Sequence, residues 1–139
     1  MQKKISNKGF TLIELLIALA IIAIIAAILI PNFFVTTDRA RLRSDIQSAR
    51  VIQSAVELYR AERGRAPVGD MNTILTSLTT AGFLRARYTD IQTEGAVWAR
   101  DDDLGVVVNI SASPANIHSI YSSLPDAERL FVINGRTGN

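Results

Sequence analysis

Glu14 asks the most of its surroundings, because it is the one charge in a run of 26 otherwise uncharged residues from Phe10 to Val35. A carboxylate in a segment of that character is rare and is kept where something neutralises it. Its reading therefore needs a counter-charge. The second constellation is Asp101-Asp102-Asp103. Three carboxylates offer oxygens to calcium, but a hard cation wants six to eight ligands and three adjacent acids cannot all point inward. A solvated hairpin loop is the reading taken here, with a calcium loop as the alternative and no cofactor required. His118 is the single histidine, set beside Ile117 and Ile120, and there is no cysteine. No Ser-His-Asp grouping, glycine-rich phosphate loop or histidine pair is suggested by spacing, so an enzyme is not expected.

The element that must position Glu14 is the apolar run itself. At about 1.5 Å per residue it reaches roughly 39 Å, more than the ~30 Å hydrocarbon core of a bilayer. It is too long for an ordinary signal peptide. Residues 1–9 carry Lys3, Lys4 and Lys8 and no acid, which places the N-terminus in the cytoplasm and the bulk of the chain outside. Beyond the run the helical period continues through Leu42, Ile46, Ala49, Ile52 or Gln53, Val56 and Tyr59. Between them lie Asp38, Arg39, Arg41, Arg43, Asp45, Arg50, Glu57 and Arg60. The spacings Arg41/Asp45 and Glu57/Arg60 read as a solvated, ion-paired face. Gly64, Pro67 and Gly69 end the pattern, so the helix should stop near Arg63.

The segment 65–139 has a different texture. Asp70 caps a predicted short helix from Met71 to Ala81, with Gly82 as its stop. Ala96–Arg100 and Val106–Ile110 read as two strands of a hairpin joined by the five residues from Asp101 to Gly105. Ser113-Pro114 opens another short helix carrying Ile117, Ile120, Tyr121 and Leu124, and Leu130–Ile133 reads as a last strand. The expected fold is α+β, with one long helix whose outer half packs on a small antiparallel sheet. Its parts are 1–9, the apolar half 10–35, the amphipathic half 36–64 and a head at 65–139. A head that small with no disulfide should need the outer helix for its core.

Charge narrows the partners. The chain of 139 residues has a formal charge of +2, but all three lysines precede Phe10. Without them, twelve arginines face thirteen acids. A general grip on nucleic acid is therefore not supported. An arginine stripe on an assembled fibre, drawn from Arg39, Arg41, Arg43, Arg60, Arg63, Arg65, Arg85, Arg87 and Arg100, is the alternative to a plain solvated face.

The residues Lys8-Gly9-Phe10-Thr11-Leu12-Ile13-Glu14, followed by the apolar run with Pro31-Asn32 at its outer end, resemble the N-terminal motif of type IV prepilins and pseudopilins. The resemblance extends from Lys8 through Arg63. It implies that a prepilin peptidase on the cytoplasmic side cuts after Gly9 and methylates the new amine of Phe10. It also implies that Glu14 is neutralised by the Phe10 amine of a neighbouring subunit on joining a helical homopolymer. Lipid would surround the run before assembly, and an inner-membrane platform with minor pilins would receive it. Many family members have a glycine midway along the apolar helix where this chain has Ala23, which leaves Pro31 as its main weak point. Ala18, Ala20, Ala23, Ala26 and Ala27 permit close helix approach. Tyr59, Gly64, Pro67, Leu75 and Leu78 look like the region after the long helix in major pseudopilins. The function this implies is a structural subunit of a type IV pilus for adhesion, twitching motility or DNA uptake. The alternative is a type II secretion pseudopilin forming a periplasmic piston. The expected location is the cytoplasmic membrane as a single-pass precursor, then an extracellular pilus or a periplasmic pseudopilus.

Overall fold

The computed structural model describes residues 9–101 and 105–135, with the backbone alone at 31 and 32. Helix α1 spans Leu12–Arg63 and contributes to two compact units, residues 1–34 and Val35 onward. In the first unit α1 is bare: every large apolar side chain from Phe10 to Phe34 is more than half exposed. This stretch is long and apolar enough to cross a membrane, with a mean hydropathy of 3.2 over its best window. Such a surface in water would oppose the main driving force of folding, and in lipid or against other helices it does not. The helix runs through Pro31 without a break in its assigned span.

The second unit is built on the remainder of α1. Leu42, Ile46, Ala49, Ile52 and Ala55 are buried at helical spacing and form one core with residues of the head, among them Ile74, Leu78, Val108, Ile110, Ile117 and Val132. The expected stripe is thus the inward face, with Val56 and Tyr59 packed at its edge. Gly64 follows with φ 69°, the left-handed conformation that ends a helix at little cost to glycine.

Helix α2, Met71–Thr80, begins where Asp70 accepts the Thr73 backbone N–H at 3.0 Å. It ends in a Schellman arrangement, with Phe83 N donating to Leu78 O at 2.9 Å and Gly82 N to Thr79 O at 3.1 Å. A single 3₁₀ turn at Ala86–Tyr88 leads to strand β1, Val97–Asp101, and then β2, Gly105–Asn109. Helices α3, Ala115–Ser122, and α4, Asp126–Arg129, precede the two-residue strand β3, Val132–Ile133. The 3₁₀ turn and α4 carry too few periodic residues to stand out in the sequence.

The sheet order is β1-β2-β3. β1 and β2 form the expected hairpin, in register from Val97 opposite Asn109 to Asp101 opposite Gly105. The third strand corrects the antiparallel expectation, because β3 pairs with β2 in parallel through Val108/Val132 and Asn109/Ile133. The reason lies in the connection. A parallel neighbour needs a crossover of a dozen or more residues, and the stretch holding α3 and α4 supplies it. Ile117, Ile120 and Leu124 bury that crossover against the core.

Candidate assembly site

The first turn of α1 is organised around Glu14. Its Oε2 accepts the backbone N–H of Thr11 at 2.9 Å and the Thr11 hydroxyl at 2.9 Å. The Glu14 backbone N–H lies 3.3 Å from Thr11 Oγ1. Thr11 and Glu14 therefore form a capping box, in which each side chain serves an N–H that has no carbonyl four residues back. The spacing Thr-x-x-Glu already carried this signal, and it gives Glu14 a structural task inside one chain. Glu14 Oε1 has no partner among the described residues. Gly9 and Phe10 precede the helix, both exposed, with Phe10 at 85%.

The other predicted residues fall elsewhere. Asp101 closes β1 opposite Gly105, while Asp102 and Asp103 lie outside the described residues, as do Lys3, Lys4 and Lys8. Among the described residues no three acids or histidines are grouped to hold a metal ion. His118 is bonded through Nδ1 to the Asn134 side chain, within the second unit. Pro31 lies inside α1.

The solvated face of the outer helix needs two corrections. Asp45 does not pair with Arg41 but is wholly buried. Its Oδ2 accepts from Thr93 N at 2.8 Å, and both its oxygens lie within reach of Gln92 N, at 2.9 and 3.1 Å. Asp45 thus ties the segment before β1 to α1. Its place three residues after Leu42 puts it on the buried side of the helix, where its charge alone suggests a solvated position. Glu57 accepts from Gln53 Nε2 at 3.0 Å rather than from Arg60, and Gln53 Oε1 in turn accepts Val106 N at 3.0 Å. The side chain of Gln53 thereby fastens the hairpin to the helix. Arg41 reaches back to Asp38 at 3.6 Å, and Arg43 bonds Glu128 at 3.2 Å.

Comparison with known proteins includes this first turn in one match. The family model described as the prokaryotic N-terminal methylation motif matches residues 4–30. The chain is 43% identical over 60 residues to prepilin peptidase-dependent protein A of Clostridium perfringens, covering 43% of each. It is 35% identical over 102 residues to the type IV major pilin protein PilE1 of Neisseria gonorrhoeae, covering 72% of this chain and 56% of the relative. A third relative, type II secretion system core protein G of Escherichia coli, is 22% identical over 129 residues, covering 88% of this chain and 84% of that one. The chain spans about half the length of the first two of these relatives. No solved structure matches it.

Proposed function

Because the chain belongs to the family that unites type IV pilins with type II secretion pseudopilins, we propose that it is a structural subunit that polymerises into a type IV pilus filament. The carrying observation is the pairing of a bare apolar helix with Glu14 in its first turn. A subunit held in lipid carries an acid satisfied only by its own Thr11. In a filament, the Phe10 amine of a neighbour, freed by the prepilin peptidase, approaches the carboxylate in a medium of low dielectric. The attraction sets axial register, while the exposed apolar side chains from Phe10 to Phe34 bury one another. A head-to-tail contact whose rotation does not close into a ring extends without limit.

Two substitutions separate the cap from the counter-charge. Glu14→Gln retains a side-chain acceptor for the Thr11 N–H and removes the charge, whereas Glu14→Ala removes both. Both variants are expected to insert and to be cleaved, and both to give little sheared filament beside the membrane-bound subunit. Normal yield from Glu14→Gln would show that capping alone is needed and would overturn the counter-charge. Normal yield from both would remove Glu14 from assembly.

A second reading, a pseudopilin forming a periplasmic piston, is favoured by one observation: the core protein G match runs along nearly the whole of both chains. Gene neighbourhood decides between them. A retraction ATPase beside this gene supports the pilus, and an outer-membrane secretion gate supports the piston.

A further inference from the structure

Three arginines, Arg39, Arg41 and Arg43, follow within eight residues of Val35, the last residue of the apolar run. On the non-cytoplasmic side of a membrane helix such a cluster runs against the usual distribution of basic residues. Two of the three are neutralised, Arg41 by Asp38 and Arg43 by Glu128. Arg39 forms no ion pair with any described residue. Its Nη2 donates to Ser123 Oγ at 3.2 Å, and the Ser123 hydroxyl donates onward to Ile120 O at 2.7 Å. The guanidinium is thereby fixed beside α3 by one bond, with its other donors uncommitted.

Beside it lies a groove of about 290 Å³ lined by Val35, Arg39, Asn116, Ser119, Ile120 and Ser123, a mainly apolar lining with a cation and hydroxyls among it. Asn116, which also lines the groove, donates to Asp38 at 2.7 Å, and Asp38 is the ion partner of Arg41. We propose that this groove holds an anionic phospholipid of the outer leaflet, with the phosphate on Arg39 and the Ser119 hydroxyl and the glycerol region against Val35 and Ile120. Two features select a lipid over another occupant. The groove includes the terminal residue of the apolar run, which membrane insertion brings to the level of the headgroups. Its lining also joins one uncompensated cation to apolar surface, the same pairing that a lipid presents at its phosphate and glycerol. Such a contact steadies the head at the bilayer before the subunit is drawn into a filament.

The inference rests on the membrane-inserted reading, and the test keeps the two apart. The full chain is placed in phosphatidylcholine nanodiscs containing a trace of phosphatidylglycerol that bears a photoreactive headgroup, and labelled residues are mapped after irradiation. Insertion is scored separately, by resistance of the protein to alkaline extraction from vesicles. Labelling is expected within 115–123, and unlabelled phosphatidylglycerol should compete about fivefold better than phosphatidylcholine, the preference expected of one arginine at an anionic surface. Arg39→Gln should abolish that preference, and Arg85→Gln, an exposed arginine outside this groove, should keep it. Inserted protein whose 115–123 segment is unlabelled, or whose preference survives Arg39→Gln, overturns the inference and leaves the membrane reading standing. Displacement by inorganic phosphate alone overturns it in favour of a free-anion site. Loss of labelling as protein density rises overturns it in favour of a second copy. Failure to insert overturns both readings.

Discussion

Asp45→Ala removes a carboxylate that has no contact with solvent. Thr93 is itself buried, so its N–H loses a charged acceptor at 2.8 Å and meets no water in exchange. A hydrogen bond of that kind is worth about 1.5–3 kcal/mol. Gln92 is exposed, and its N–H can turn to solvent, so its share is closer to about 1 kcal/mol. The expected loss is about 2.5–4 kcal/mol against a total stability of about 5–15 kcal/mol for a domain. For a unit of this size that lowers Tm by about 10–16 °C. Asp45→Asn can still aim its one oxygen at Thr93 N and should lose about half as much. Asp45→Leu restores volume but not the acceptor, and should resemble Asp45→Ala. The assay is thermal unfolding by circular dichroism of a soluble fragment beginning at Val35, where the compact unit begins. If Asp45→Leu melted with the unsubstituted fragment, the two amides would have found other partners and the tie between α1 and the segment before β1 would not be the source of stability.

Two further outcomes are expected. Mass spectrometry of assembled protein should find Phe10 as an N-methylated first residue, and Gly9→Val should leave uncut precursor in the membrane; a different N-terminus in the filament fraction refutes the processing site. The Asp70 carboxyl is held below the ordinary aspartate value of 3.8 by its hydrogen bonds to the Thr73 side chain and backbone N–H. The capped start of α2 is therefore fully stabilised above that value and weakens as the pH falls through the lower native one. Protection of the Thr73 amide against hydrogen exchange, relative to its intrinsic rate at each pH, should fall over that interval, and Asp70→Asn, a good cap that does not titrate, should remove that change in protection.

Much of this molecule is local and therefore legible in the sequence. The length of α1, its stop at Gly64, the Asp70 start and Gly82 stop of α2, and the hairpin at Asp101–Gly105 each follow from periodicity or from a residue suited to one backbone conformation. So does the Thr11-x-x-Glu14 cap, whose partners are three residues apart. What tertiary structure decided was non-local. The direction of β3 depends on how a crossover packs, since a two-residue strand has no periodicity to announce its neighbour. Asp45 reads as a solvated acid by type and as a core position by spacing. The conflict is resolved 47 and 48 residues away, where the Gln92 and Thr93 amides need an acceptor at that place. The amino-acid type of Asp45 says only that burying it is costly; the segment that folds over it supplies the hydrogen bonds that offset the cost.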